Sequence, residues 1–186
     1  MSVERCEWAQ VSELETDYHD HEWGVPTHDD RELFELLILE GMQAGLSWDL
    51  ILRKRQNFVE AFDNFDYQTV ASYGEDKIAA LLSTSGIVRN KLKVRAAVSN
   101  AQAFMSVQDE FGSFDAYLWS FVDGKPIVGN WKAVEDVPCS TPLSDVVSKD
   151  LRRRGFKFTG STIVYSYLQA TGLLNDHITS CFKYQQ

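Results

Sequence analysis

The amino-acid sequence predicts a mostly α-helical fold. Apolar residues recur at three- and four-residue spacing through most of the 186 residues, which is the period of one buried helix face. Residues that cap helices stand directly before several of these stretches. A hydrophobic content of 44% and an aromatic content of 12% indicate a packed core. We expect a single domain over residues 1–186, built either as one unit or as two packed lobes, the termini and a central helical hairpin.

Two helices are expected in the first third of the chain. Asp29 and Glu32 form a capping pair ahead of the apolar run at 33–38. Ser47 is expected to cap the next helix, over 47–62. The buried face of that helix is predicted to contain Leu50, Ile51, Phe58 and Phe62.

Four further helices are expected beyond residue 70. Residues 75–84 and 91–105 have helical periodicity and flank Gly86. Ser144 is expected to cap a helix over 144–156. Residues 162–174 are predicted to form a closing helix, although their β-branched start is also compatible with a strand.

The net charge of −9 is unevenly distributed. Residues 1–40 hold 12 acidic and 2 basic side chains, whereas the rest of the chain holds 15 acidic and 16 basic ones. Two basic groups lie in this second part, Arg89, Lys91, Lys93 and Arg95 in one and Lys149, Arg152, Arg153, Arg154 and Lys157 in the other. Phosphate binding responds to local potential, so a nucleic-acid partner stays open. Ordinary solvated helix faces are the alternative.

Composition also bears on the compartment. No run of 18 apolar residues is present, and the first ten residues lack the apolar segment of a secretory signal. We therefore expect a cytoplasmic protein with no membrane association. In a reducing compartment its three cysteines are expected to be metal ligands or core residues and not disulfides.

The segment at 75–106 has the form of a helical hairpin. Gly86 permits a turn, and Arg89 and Lys91 lie at the entry to the second helix. Such a hairpin can offer backbone N–H groups and a positive helix end to a DNA phosphate without contacting bases. Other helical hairpins with a glycine and a few lysines share this pattern.

Four metal-binding side chains stand near the two ends of the chain, Cys6 and His19 in one pair and His177 and Cys181 in the other. The spacing of the second pair places both side chains on one face if that segment is helical. Two thiolates and two imidazoles complete a tetrahedral zinc shell with no open position, which is typical of structural zinc. The alternative is that the cysteines are buried apolar residues and the histidines ordinary polar ones; His21 and His28 also compete as ligands, and Cys139 has no nearby partner.

Glu40 ends an apolar helix and Trp48 begins the next, so the turn between them can bring both side chains to one cleft. A buried carboxylate there is a candidate for binding N–H groups or a positive charge. Trp8, Tyr18 and Trp23 could line the same cleft, where aromatic faces suit a flat, cationic base. An aromatic core with a solvated Glu40 is the alternative.

Several segments together resemble the 3-methyladenine DNA glycosylase I family. The resemblance runs from about residue 4 to residue 184 and is carried by RCEW, YHDHEWGVP, LFELLILEGMQAGLSW, SGIVRNKLK, YLWSF, RGFKFTGSTIVYSYLQATGLLNDH and HITSC. It implies a helix-hairpin-helix DNA glycosylase fold, with a zinc site that joins the N- and C-terminal segments.

The resemblance also implies roles for individual residues. Cys6, His19, His177 and Cys181 fall on the ligands of one structural Zn²⁺ per chain. Glu40 falls on the catalytic carboxylate of the base pocket, and Trp8, Tyr18 and Trp48 fall on its aromatic walls. Gly86, Arg89 and Lys91 fall on the DNA-binding hairpin.

The implied activity is excision of 3-methyladenine from alkylated double-stranded DNA by a monomeric enzyme. The target base would be flipped out of the duplex. Its N-glycosidic bond would be hydrolysed by water with no strand-cleaving lyase step, releasing free 3-methyladenine.

Glu15 departs from the family pattern, because relatives tend to carry a tyrosine there near the pocket mouth. Asp109 and Glu110 lie where the wider superfamily places a catalytic Asp, but the resemblance indicates Glu40 instead. Two other classes of protein are considered. A non-catalytic DNA-damage-binding module would need the hairpin but not the pocket, and a zinc-dependent hydrolase would need an open position on the metal.

Overall fold

The computed structural model describes residues 3–184, and within them the fold is mostly helical. Nine α-helices are present in these residues: α1 Glu13–His21, α2 Asp30–Gln43, α3 Trp48–Ala61, α4 Tyr67–Ala71, α5 Glu75–Ser83, α6 Lys91–Phe111, α7 Phe114–Trp119, α8 Pro142–Arg153 and α9 Ser161–Ala170. Single turns of 3₁₀ helix cover Glu7–Gln10, Asp63–Phe65, Ser120–Val122 and Val134–Asp136. No helix in the described part of the chain is long and apolar enough to cross a membrane.

The helix starts follow the capping residues closely. Asp29 accepts hydrogen bonds from two first-turn N–H groups of α2, and Ser47 accepts one from α3, as predicted. The prediction that Ser144 caps α8 is wrong. Thr141 is the cap, and Ser144 is the third helical residue, whose hydroxyl accepts a hydrogen bond from the Thr141 N–H. The two residues form a capping box, in which either hydroxyl resembles a cap when only the sequence is known.

Helix α2 lies at the centre of the molecule. Its residues Leu33, Phe34 and Leu39 are completely buried, and it packs against α3, α6, α7 and α9. Because nearly every side of its second half is covered, Glu40 near its end is carried into the interior together with its apolar neighbours.

The C-terminal segment departs from expectation in two ways. The closing segment is helix α9 and not a strand, but the chain then forms a two-residue strand β2, Leu174–Asn175, which pairs in parallel with β1, Ile127–Val128. Residues 176–184 form turns and no helix, so the condition under which the spacing of His177 and Cys181 would place them on one helical face is not met. The turn itself brings these two side chains together, because the Cys181 N–H donates to the carbonyl of Ile178.

Candidate active site and metal centre

Four buried side chains from the two ends of the chain meet at one point. The ligand atoms of Cys6, His19, His177 and Cys181 all lie within 4.8 Å of one another. His177 Nδ1 lies 3.2 Å from His19 Nε2 and 3.5 Å from Cys181 Sγ. Tetrahedral zinc with these donors has ligand–ligand edges of about 3.3–3.8 Å. The donor set and its spacing therefore fit a four-coordinate zinc ion.

Each imidazole of this cluster makes a further polar contact through its other ring nitrogen. His19 Nδ1 lies 2.9 Å from Asp20 Oδ1, and His177 Nε2 lies 3.1 Å from the carbonyl of Trp23. Arg5 in turn binds Asp20, and this hydrogen bond lowers the pKa of the Asp20 carboxyl to about 2. Such contacts set the ring orientation and tautomer of metal-binding histidines.

Burial shifts the pKa values of Cys6 and of both imidazoles. Desolvation lowers the pKa of His177 to about 4 and raises that of Cys6 to about 12. The imidazoles are thus neutral, as metal ligands are, whereas a thiolate at Cys6 requires a cation beside it. His21 pairs with Asp17, His28 pairs with Asp115, and Cys139 is exposed, so none of the three belongs to the cluster.

A cavity of about 320 Å³ opens beside the cluster. Its lining includes Trp8, Tyr18, Glu40 and Trp48, so the turn between α2 and α3 does bring Glu40 and Trp48 to one cavity. Further lining residues are Cys6, Glu15, Trp23, Gln43, Val134, Val137, Ser166, Gln169, Asp176 and Ile178.

Glu40 is a buried carboxylate without a protein partner in the described part of the chain. Glu40 is 4% exposed, and desolvation raises the pKa of its carboxyl to about 8. An unpaired carboxylate in such a place has strong residual affinity for a ligand that supplies N–H donors or positive charge.

Aromatic rings surround this carboxylate. The centroids of Tyr18 and Trp48 are 5.3 Å apart with an interplanar angle of 51°, and those of Trp8 and Tyr18 are 6.5 Å apart. The Tyr18 hydroxyl and the Trp48 Nε1 are buried with no hydrogen-bond partner within residues 3–184. The cavity thus combines flat apolar walls with polar groups that a ligand could satisfy.

Asp176 also lines the cavity, and the sequence indicated no role for it. Asp176 accepts hydrogen bonds from Trp131 Nε1 at 2.6 Å, Gln169 Nε2 at 2.9 Å and the Tyr165 hydroxyl at 2.5 Å. Tyr165 and Gln169 both lie on α9, whereas Trp131 lies 45 residues before Asp176, so local spacing could not indicate the complete network. Its one signal was the position of Asp176 directly before His177.

The predicted hairpin is formed by α5, α6 and the turn between them. Arg89 and Lys91 are exposed there, and the backbone N–H groups of Gly86 and Val88 donate to no acceptor in the described residues. Gly86 does not have a positive φ. Glycine is required there because a Cβ would lie 2.8 Å from Cγ of Asn57 on α3.

Several basic side chains of these two groups form hydrogen bonds or ion pairs within the protein. Lys93 is buried, and its Nζ donates to the carbonyls of Met42 and Ala44 at the end of α2. Arg95 pairs with Glu75. In the second group Arg153 and Arg154 pair with Asp150, and Arg154 also pairs with Glu110, while neither Asp109 nor Glu110 lines the cavity. Summed charge therefore overstated the basic surface available to a partner.

Comparison with known proteins identifies the family. The family model for methyladenine glycosylase matches residues 8–184. The DNA-3-methyladenine glycosylase 1 of Escherichia coli strain K12 is 43% identical, with 98% of this chain and 97% of that protein covered.

Solved structures of other proteins match the fold of this chain over nearly its whole length. A crystal structure of a 3-methyladenine DNA glycosylase I is 46% identical, with a TM-score of 0.94 and coverage of 97% of this chain and 100% of that one. The Staphylococcus aureus 3-methyladenine DNA glycosylase I, solved to explain its recognition of 3-methyladenine, is 36% identical, with a TM-score of 0.94 and coverage of 98% and 97%. The chain belongs to the methyladenine glycosylase family.

Proposed function

We propose that this protein excises 3-methyladenine from alkylated double-stranded DNA by hydrolysing its N-glycosidic bond. One observation carries the proposal: Glu40 lies unpaired in an aromatic cavity that is large enough for one flat base. A base inside a duplex cannot reach such a cavity, so the target nucleotide has to be flipped out of the stack.

Within the cavity, Trp48 and Tyr18 stack on the base, Trp8 closes the wall behind them, and Glu40 accepts hydrogen bonds from its N–H edge. Methylation at N3 gives the base a positive charge, and a positive charge nearby lowers the pKa of a carboxyl. A cationic base therefore ionises Glu40 and pairs with it, whereas neutral adenine gains only the weaker contact. This difference selects the damaged base.

The chemistry needs little further help from the protein. The positive charge already weakens the glycosidic bond, so the leaving base requires no protonation, and water attacks the sugar. No lysine lines the cavity among residues 3–184, so no amine is placed to form a Schiff base with the sugar. We propose a monofunctional glycosylase, and a protein–DNA adduct trapped by borohydride would contradict this part.

The hairpin of α5 and α6 is proposed to hold the DNA backbone. Arg89 and Lys91 pair with phosphates, and the free N–H groups of Gly86 and Val88 offer further donors. Asn90 already occupies the N–H groups of Leu92 and Lys93, so the turn, and not the first turn of α6, supplies the backbone contacts.

Cys6, His19, His177 and Cys181 are proposed to hold one structural Zn²⁺. With four protein ligands the ion has no position for substrate, and when bound it supplies cross-linking of the two chain ends and stability. The chain is proposed to act as one glycosylase domain over residues 1–186, as a monomer in the cytoplasm, where its thiols stay reduced.

The test is release of free bases from methylated duplex DNA by the purified, zinc-loaded protein, separated by chromatography. We expect 3-methyladenine as the main product and intact DNA strands. A folded protein that binds the DNA and releases no base would instead favour the damage-binding module. Activity that followed zinc content while folding stayed unchanged would favour the zinc hydrolase.

A further inference from the structure

A second carboxylate, Glu15, lies on the wall of the base cavity. The residue belongs to α1, is 9% exposed, and has one oxygen, Oε2, that is buried without any hydrogen-bond partner in the described residues. Burial and the nearby Asp49 carboxylate raise the pKa of its carboxyl. A buried carboxylate oxygen that accepts no hydrogen bond from these residues and lines a cavity is positioned for a ligand.

Glu15 lies nearer to the protein surface than Glu40 does. Its charged neighbours are Asp49 and Arg53, which form a surface ion pair with side chains 25% and 59% exposed. The pKa of Glu40, by contrast, is raised by desolvation alone, and its side chain lies beside the buried Tyr18. The two carboxylates therefore mark the outer and the inner end of one cavity.

The charged side chains that line this cavity are all acidic. Glu15, Glu40 and Asp176 line it, and no lysine or arginine does within residues 3–184. Asp176 accepts three hydrogen bonds, whereas Glu15 Oε2 and the Glu40 carboxyl accept none within residues 3–184. Ionising two unpaired carboxylates in one poorly solvated space is unfavourable unless a cation enters between them.

We propose that Glu15 is a specificity-determining residue that contacts the outer, glycosidic side of the base and makes the cavity selective for positively charged N-glycosides. The inference rests on the proposed function. A base that is still joined to DNA must direct its glycosidic nitrogen toward the cavity mouth, where Glu15 lies. Its positive charge then lies between Glu40 and Glu15 until the bond breaks and leaves a neutral base.

The contact with Glu15 consequently distinguishes substrate from product. Charge attraction holds the cationic glycoside at both ends, whereas free 3-methyladenine, which is neutral near neutral pH, retains only the inner contacts and the stacking. Glu15 thus favours capture of the damaged nucleotide and does not slow the departure of the released base.

Two small ligands separate these contacts. The 3,9-dimethyladeninium ion is a cation whose N9-methyl group takes the place of the sugar, and 3-methyladenine is the neutral product. We would measure the affinity of both for Glu15→Gln at about pH 7, using quenching of tryptophan fluorescence. Glu13→Gln is the matched control, because it removes one acid from the exposed side of the same helix.

We expect Glu15→Gln to weaken binding of the dimethylated cation about tenfold, equal to about 1.4 kcal/mol, and to change binding of 3-methyladenine less than about twofold. Glu13→Gln is expected to change neither. Equal loss for both ligands would overturn the inference, because Glu15 would then act on the whole cavity. Unchanged affinity for the cation would overturn it as well.

The same titrations separate this inference from the proposed function. If wild-type protein bound neither ligand and released no base from DNA, the base cavity itself would be refuted, and the role of Glu15 with it. If wild type bound both ligands and released 3-methyladenine, the proposed function would stand whatever the result for Glu15→Gln. A melting temperature within about 3 °C of wild type is required of each variant, which excludes general loss of structure.

Discussion

Glu40 illustrates how an unfavourable side chain can be maintained for function. Its carboxyl is buried on the helix that forms the centre of the core, and its pKa is raised to about 8 because burial penalises the charged form. In the unfolded chain the same group titrates near its ordinary value. Folding therefore takes up a proton between these two pKa values, and the protein is destabilised as the pH rises between them.

We predict that Glu40→Gln is more stable than wild type at alkaline pH. The raised pKa contributes stability below the unfolded-state pKa that is lost as pH rises through about 8, and glutamine removes this loss. The gain should be on the order of 5 kcal/mol at about pH 9 and near zero at about pH 4. Urea unfolding at a series of pH values measures it.

Glu32→Gln on the exposed side of the same helix serves as the control and should show no such pH dependence. Equal stability of Glu40→Gln and wild type across this range would mean that Glu40 is solvated or paired in solution, which contradicts the raised pKa.

At the scale of elements, the turn between α2 and α3 is held by the hairpin helix. Lys93 on α6 donates to the carbonyls of Met42 and Ala44, 2.8 and 2.7 Å away, where α2 ends and the turn toward Trp48 begins. A cation at a helix C-terminus satisfies unpaired carbonyls and interacts favourably with the helix dipole.

Lys93→Met is expected to destabilise the protein by about 2 kcal/mol, because two buried carbonyls lose their donor while the apolar stem is retained. Base release should fall as well, since the turn that positions Trp48 loses its anchor. Denaturant unfolding and single-turnover assays measure the two effects. Lys91→Met, two residues earlier and exposed, should leave stability within about 0.5 kcal/mol of wild type.

The exposed hairpin cations allow a separate prediction. Replacing Arg89 and Lys91 together with alanine should weaken DNA binding irrespective of sequence, and should reduce the slope of log affinity against log salt by about 2. Fluorescence anisotropy at several salt concentrations gives this slope. The charge-neutral double variant Glu75→Ala with Arg95→Ala is the control, because that ion pair already neutralises itself.

An unchanged slope in the Arg89 and Lys91 double variant would show that the hairpin does not contact phosphates. The basic surface would then have to lie elsewhere, for example at the exposed cations Lys149 or Arg152.

At the scale of the whole molecule, the sequence predicted six of the nine helices in the described residues, missed α1, α4 and α7, and predicted long-range contacts poorly. The caps at Asp29 and Ser47 and the apolar faces of α3 and α6 are local signals, so they could be read directly. The Trp131–Asp176 hydrogen bond and the bond of Lys93 to Met42 join residues that are 45 and 51 positions apart, which no periodicity encodes. The turns at 176–184 likewise depend on contacts with the N-terminal segment, since the Phe182 N–H donates to the carbonyl of Glu4.

The candidate site could be predicted from the sequence for a different reason. Residues within one turn, such as Glu40 and Trp48, are brought together by local geometry. The four cysteine and histidine ligands are separated by up to 175 residues, and their spacing alone left other interpretations open; only the resemblance of the whole chain to a family joined them.

The cluster of cysteines and histidines and the neighbouring cavity share their walls. Cys6 contributes to both, and the ring of Trp8 packs on His19 at 5.4 Å while also lining the cavity. Helix α3 extends from Trp48 in the cavity to Asn57 under the hairpin. Because an ion with four protein ligands has no position for substrate, loss of zinc should act on the stability of the fold and only indirectly, through these shared walls, on chemistry.

We expect Cys181→Ser to lose most of its bound zinc and to melt at a clearly lower temperature, since metal binding is coupled to folding. Single-turnover base release per folded molecule should remain near wild type. Elemental analysis, calorimetry and active-site titration check these points, with Cys139→Ser as the control because that thiol is exposed and outside the cluster. A normal melting temperature in protein shown to lack zinc would contradict the structural role.

The most direct test of the central claim is release of 3-methyladenine from methylated duplex DNA by wild type and by Glu40→Gln. The account predicts release by wild type and a loss of about 10²–10³-fold in the variant, because the carboxyl that ionises beside the cationic base is removed. Equal release by both folded proteins would contradict the assignment of Glu40. No release by folded, zinc-loaded wild type would contradict the glycosylase activity itself.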